Sequence, residues 1–404
     1  MKALIKKIIP DTVIKKYHGW EEFRLLNPDG QTEVRQDHKG LSQIDPGISV
    51  SVTAALNWLV RAQQNSASQD GGMARDYSVK NEWATSYPET TGYIIPTLIN
   101  ASHYFGDKTY LQSAKTALDW CEKIQLESGA FQGGTIEKDP VPVTFNTGQI
   151  LIGLSAGVTE FDQYHHAMHR AARWLVETMD DDGCWRKFAT PFAEKGEKAY
   201  ETHVSWGLLE AAKASGNEEY GEAALKNINW AITKQQENGW FDDCCLEQPD
   251  SPLTHTLGYV IRGIMEGYLY SKDEKLLTSA MKFAGAVTTI MDEDGYFPGR
   301  WHKDWTPAVS WVCLTGSVQI AHSLLLIYKE TGQDKYLETA SKLNQYVRRT
   351  IKLVGSNDAM VGGIKGSFPI DGNYGKYEYL NWAAKFFIDS NMLEAEVKGE
   401  DLRS

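Results

Sequence analysis

The sequence predicts an all-α fold in which six helical hairpins close into a ring. Three observations carry this. A glycine turn recurs six times: Gly71-Gly72, Gly129-Ala130-Phe131, Gly183-Cys184-Trp185, Gly239-Trp240, Gly295-Tyr296-Phe297 and Gly362-Gly363. The first five turns stand about 56 residues apart and the last about 67 further on, the length of a helix pair with its connections. The segments before the turns show apolar residues at three- and four-residue spacing, as in Leu111, Ala114, Ala117, Leu118 and Cys121. The segments after them are rich in small residues, as in Gly148-Gln149-Ile150-Leu151-Ile152-Gly153-Leu154.

Each unit therefore reads as an outer helix, a glycine turn, a loop and an inner helix. Outer helices are expected near 50–65, 109–126, 163–179, 218–236, 273–291 and 335–352. Inner helices are expected near 90–105, 146–161, 202–215, 255–271, 315–331 and 377–389. Short links such as Gly106-Asp107-Lys108, Gly216-Asn217-Glu218 and Gly332-Gln333-Asp334 read as a helix C-cap followed by a restart. The links from outer to inner helix are longer and more variable, and loops of that kind carry function on a fixed scaffold. Six such loops at one end of a ring surround one central cavity. The expected organisation is an N-terminal arm at 1–46, a ring domain at 47–392 and a C-terminal tail at 393–404.

Composition narrows the partners. A formal net charge of −12 disfavours nucleic acid or an anionic membrane as a partner of the whole surface. Five cysteines at irregular spacing (Cys121, Cys184, Cys244, Cys245 and Cys313) do not form a disulfide framework, which fits a reducing, cytoplasmic setting. The stretch from Met1 to Lys16 mixes lysines with Ile8, Ile9, Val13 and Ile14. It is too short in apolar run for a span or a signal core, but offers a surface for peripheral inner-membrane or synthesis-complex contact.

Basic residues recur after the turns: Arg75, Lys138, Arg186 with Lys187, Arg300 with Lys303, and Lys365. Around one mouth they would bind an anionic ligand, although exposed loops carry lysine and arginine for solubility alone. His203 and His255 sit in similar contexts in adjacent repeats, and two imidazoles facing one cavity move protons on both faces of a sugar carbon. Each could equally pack or cap an inner helix. Tyr87 is an alternative base. Glu89 and Glu201 form the best carboxylate pair, with Asp243, Asp304 and Asp371 as substitutes, and helix capping explains either glutamate as well. Asn146, Arg75, Arg300 and Lys365 are expected to hold an acidic group, and Trp301, Trp311 and Tyr374 to stack on sugar rings. His165, His166 and His169 read as a solvated helix face. Asp243 and Cys245 are zinc-ligand types, but no CxxC pair accompanies them, and neither metal nor cofactor is expected.

The six-unit pattern over roughly residues 47–390 resembles the (α/α)6 toroids: six-hairpin glycosidases, polysaccharide lyases, the N-acylglucosamine 2-epimerase group and the terpenoid-cyclase and prenyltransferase toroids. Gln235-Gln236-Glu237-Asn238-Gly239-Trp240 is similar to the QW repeat of squalene cyclases, but Asp180-Asp181-Asp182 does not match that family's DxDD acid. Trp206-Gly207-Leu208-Leu209-Glu210-Ala211 is similar to the epimerase group's histidine-leucine-leucine-glutamate-alanine segment, with tryptophan in place of the histidine. The stretches 314–321, 363–369 and 381–387 resemble proteins encoded in bacterial exopolysaccharide and capsule clusters. These resemblances imply a carbohydrate-active enzyme of polysaccharide biosynthesis acting on an oligo- or polysaccharide. The leading chemistry is proton abstraction from a uronate-type sugar, as in an epimerase or lyase. A glycoside hydrolase using Glu89 and Glu201, and a non-catalytic glycan-binding component, are the alternatives.

Overall fold

The computed structural model describes residues 19–193 and 196–403. The lysine-rich start of the arm lies outside the described residues. A short helix, α1 (Pro28–Asp37), precedes six hairpins. The outer helices are α2 (Ile48–Gln64), α4 (Lys108–Ile124), α6 (His165–Thr178), α8 (Glu218–Ile232), α10 (Glu274–Ile290) and α12 (Asp334–Arg348). The inner helices are α3 (Pro88–Phe105), α5 (Thr144–Glu160), α7 (Thr202–Ser215), α9 (Thr254–Ser271), α11 (Leu314–Thr331) and α13 (Asn381–Lys398). The last helix runs past the expected domain boundary at 392. No helix among the described residues is long and apolar enough to cross a membrane.

Each inner helix packs on the next, and α13 packs back on α3, so the ring closes. Outer helices bury one stripe: α4 buries Tyr110, Ala114, Ala117, Leu118 and Cys121. Inner helices are buried almost all round, α5 from Thr144 to Ser155 without interruption. Glycine permits their close approach; a Cβ on Gly148 would stand 2.7 Å from the Cα of Val204 on α7.

The repeating turns have a specific structural cause. Gly129 has φ +94°, and a Cβ there would lie 2.6 Å from the Arg170 carbonyl oxygen on the next outer helix. Gly362 repeats this across the seam: its φ is +82° and its Cβ would lie 2.2 Å from Ala54 O on α2. A glutamine clamps the same junction. Gln125 Nε2 donates to Gly129 O and to Ala167 O, each at 2.9 Å. Gln63 does the same with Gly71 O (2.9 Å) and Ser113 O (3.1 Å), and Gln235 donates to Ser279 O (2.9 Å). The QW-like segment is thus a stitch between neighbouring hairpins, with Trp240 packed edge-on to Trp305 at 5.2 Å.

Small strands close the first loop on the last. In the sheet of β1 (Asp76–Ser78), β2 (Glu82–Trp83) and β5 (Glu378–Leu380), β1 pairs antiparallel with both neighbours, with Asp76 opposite Leu380 and Tyr77 opposite Tyr379. A second pair joins β3 (Val312–Cys313) to β4 (Ser367–Phe368).

Candidate active site

The starts of α3, α9 and α13 and the loops beside them enclose a cavity of about 570 Å³. Seven residues singled out from the sequence line it: Arg75, Tyr87, Glu89, Lys138, His255, Arg300 and Tyr374. Tyr93, Phe145, Tyr259 and Trp382 complete an aromatic wall.

Glu89 is placed by Pro88, which starts α3 with a fixed φ and no amide hydrogen to satisfy. The Tyr87 hydroxyl donates to Glu89 Oε2 at 3.1 Å. Burial pushes the Glu89 carboxyl up to about 7; the Tyr87 hydrogen bond and the Arg75 charge oppose this without overcoming it. Tyr87 itself keeps its proton, because burial first and the Glu89 charge second hold its pKa well above the usual phenol range. In the resting site Tyr87 stands as a hydrogen-bond donor to Glu89.

His255 is the second residue of α9, the inner helix of the fourth repeat. Its Nδ1 stands 2.8 Å from Gln319 Oε1. With that oxygen as acceptor, Nδ1 carries the hydrogen and Nε2 keeps its lone pair. Burial lowers its pKa to about 4, so the ring is neutral at ordinary pH. Tyr374 and Tyr259 pack against it at 5.4 and 4.3 Å between ring centroids. Trp382 Nε1 donates to the Tyr374 hydroxyl at 2.7 Å and fixes that ring.

The two cavity arginines differ. Pairing of β1 with β5 sets Arg75 beside Asp76 (2.5 Å) and Glu378 (3.1 Å), so its charge is already answered. Arg300 is 6% exposed and donates to Ser251 O at 2.8 Å. It forms no ion pair among the described residues, and Glu247 acts on it without contact. A buried guanidinium without a carboxylate partner is unusual and suits an anionic ligand.

Other expectations are corrected. His203 does not share the cavity with His255. It is wholly buried, its Nδ1 stands 2.6 Å from Gln149 Oε1, and its Nε2 has no partner among the described residues. Tyr259 stands between the two imidazoles, 4.4 Å from His203 and 4.3 Å from His255. Glu201 also lies behind the wall. Burial raises its carboxyl to about 8, and Oε2 has no partner among the described residues; Glu89 lines the cavity and Glu201 does not, so the pair does not face one substrate. Asn146 is buried in α5 away from the lining. Trp301 packs on Phe297 at 4.7 Å, and Trp311 packs over Gly299 with Leu253 and Cys313. Lys365 is taken by α1, with Glu33 and Asp37 each 2.6 Å from its Nζ. Arg186 is likewise held by Asp180, Asp182 and Glu197. No group of three or more potential metal-ligating side chains converges among the described residues.

Tyr93, Tyr259 and Trp382 were assigned no role from the sequence, yet for the two tyrosines a signal existed. Glu89 and Tyr93, like His255 and Tyr259, are four apart on an inner helix and so share its cavity-facing side.

This architecture defines the class of protein: an all-α (α/α)6 toroid. The comparisons agree. Residues 86–265 match the family model described as the squalene-hopene cyclase C-terminal domain. A search of curated proteins finds no match. An unsaturated glucuronyl hydrolase specific for heparin is similar in structure at 17% identity, TM-score 0.71, covering 88% of this chain and 99% of that one. A sugar epimerase from a ruminal bacterium is similar at 16% identity, TM-score 0.70, covering 92% and 99%. A D-mannose isomerase is similar at 12% identity, TM-score 0.69, covering 87% and 97%. At these identities the likeness concerns the fold.

Proposed function

We propose that the chain is a carbohydrate-active enzyme that performs acid–base chemistry on an anionic sugar unit of an oligo- or polysaccharide. The carrying observation is the meeting of Glu89, His255 and the carboxylate-free Arg300 in one aromatic cavity. His255 Nε2 takes the proton from the carbon next to the sugar carboxylate. Arg300 holds that carboxylate and the charge that develops on it. Glu89, backed by Tyr87, supplies a proton to the opposite face in epimerisation, or to the departing oxygen in β-elimination. Tyr87, Tyr374 and Trp382 give the flat apolar surfaces on which sugar rings rest. The likeness in fold to a glucuronyl hydrolase and a sugar epimerase supports the substrate class. The likeness to exopolysaccharide-cluster proteins supports a setting in polysaccharide assembly, at a cytoplasmic or inner-membrane-peripheral step.

Hydrolysis is the second reading. A carboxyl held near pKa 7 is fit to protonate a leaving glycosidic oxygen, and His255 would then activate water. Incubation with acidic polysaccharides in heavy water separates the two. Deuterium at a ring carbon, with or without an unsaturated product, supports proton abstraction. New reducing ends without exchange support hydrolysis. Binding without turnover on every polymer would favour a glycan-binding role.

A further inference from the structure

A second cleft, of about 670 Å³, opens beside the candidate active site. It is built from the loop before α7 (196–198), the α8–α9 connection (240–252) and the α10–α11 connection (302–306). The wall between the two spaces is thin. Cys245 and Pro252 line the cleft, while their chain neighbours Leu246 and Leu253 line the first cavity. His302 and Arg300 divide in the same way.

Much of the charge around the cleft is already answered. Glu197 is held by Arg186 and Lys234, Lys234 also reaches Asp243 at 3.0 Å, and Gln236 donates to Asp242. Lys198 is the exception. It lines the cleft and is 3% exposed, yet its ammonium has no ion pair or hydrogen bond among the described residues. Glu201 acts on it without contact, and burial raises the Glu201 carboxyl to about 8, so this neighbour brings no charge at neutral pH. A lysine so buried is almost never left unpaired, and the open cleft is where an acceptor can arrive. At the rim, exposed Asp250 engages His302 only through its backbone oxygen, at 3.0 Å, and its carboxylate keeps its lone pairs. Trp240 and Phe241 give the cleft an apolar side.

The ligand class follows from these groups. An ammonium without an acceptor and a carboxylate without a donor are both matched by hydroxyls, which accept and donate at once. A second anion is disfavoured, because Glu197, Asp242, Asp243, Asp250 and Asp304 line the cleft against Lys198 and Lys303. We infer that this cleft is a separate binding site for an uncharged hexose unit. Lys198 donates to the sugar oxygens, Asp250 accepts from its hydroxyls, and Trp240 and Phe241 lie against its apolar face. The inference concerns binding and does not depend on the reaction at His255.

The test is calorimetric titration of the full chain with cellotetraose, maltotetraose and mannotetraose, and with tetragalacturonate as the anionic comparator. Saturable binding of at least one neutral tetrasaccharide at or below about 1 mM is expected. Lys198→Met and Asp250→Ala should each weaken it at least about tenfold, whereas Arg300→Met, across the thin wall, should retain it. Asp250 is exposed, so its loss leaves the core intact. Lys198→Met strands no partner and should melt no lower than the parent; a lowered Tm contradicts the unpaired ammonium. Absence of binding by all three neutral tetrasaccharides overturns the inference. So does binding that survives both cleft variants or is lost in Arg300→Met. Tetragalacturonate binding that depends on Lys198 rejects the uncharged ligand. Exchange in heavy water is a separate readout, on which the reaction proposed above stands or falls alone.

Discussion

His203 and His255 share more than their sequence setting. Each presents Nδ1 to a glutamine oxygen, at 2.6 and 2.8 Å, and each packs on Tyr259. They differ in what lies beyond: protein around His203, open cavity around His255. Glu201 and Glu89 repeat the contrast. Both carboxyls are raised by burial, to about 8 and about 7, but only Glu89 lines the cavity. The lesson is that a chemically capable residue at an inner-helix start becomes a site residue only where the neighbouring repeat leaves space.

The largest expected difference is in turnover. Glu89→Gln should lower kcat by about 10²–10⁴-fold, the usual yield of a general acid or base. Glu201→Gln should leave kcat within a few-fold. Parallel loss in both would remove the distinction between wall and cavity.

The cations sharpen the comparison next. Lys365→Met leaves Asp37 buried without its cation and Glu33 with Lys352 alone, and should cost about 3–5 kcal/mol in denaturant unfolding with kcat/KM unchanged in the folded protein. Arg300→Met should do the reverse. Stability stays near the parent value while KM for an anionic substrate rises by about 10–100-fold, as expected for a lost charge-assisted contact of about 1.5–3 kcal/mol. Equal KM for Arg300→Met and the parent would contradict the anion assignment.

The pH profile follows from the two directions of shift. His255 must be unprotonated, so activity falls as pH drops through about 4; Glu89 must be protonated, so it falls as pH rises through about 7. Glu89→Gln should abolish the alkaline limb of the residual activity. The smallest effect concerns stability. The Glu201 carboxyl is raised in the folded state, so its favourable contribution is complete below about 4.5 and is lost as pH rises towards 8. Glu201→Gln should therefore raise Tm more at pH 8 than at pH 4; an equal change at both would argue against a protonated Glu201.

The six turns made the hairpin architecture legible, because the first glycine of each has a positive φ, and in five of the six a Cβ would lie within 2.8 Å of a carbonyl oxygen on the next outer helix. Glu89, His255 and Arg300 were legible too, since helix starts and post-turn loops converge in a closed ring. The fate of Lys365 was not. Its partners sit on α1, more than 300 residues earlier in the chain, and no local pattern marks that contact. Nor does spacing reveal that Tyr259 separates two histidines of equivalent context. That depends on the relative rotation of α7 and α9, which their packing alone decides.

The most direct measurement is turnover of His255→Ala and His203→Ala side by side. The substrate is the one that exchanges in heavy water, and rates are normalised to folded protein by circular dichroism. The account predicts loss of ring-carbon exchange by about 10²–10⁴-fold in His255→Ala. It predicts near-parental exchange in the folded fraction of His203→Ala, whose Tm falls. Retained exchange in His255→Ala, or equal loss in both, would contradict it.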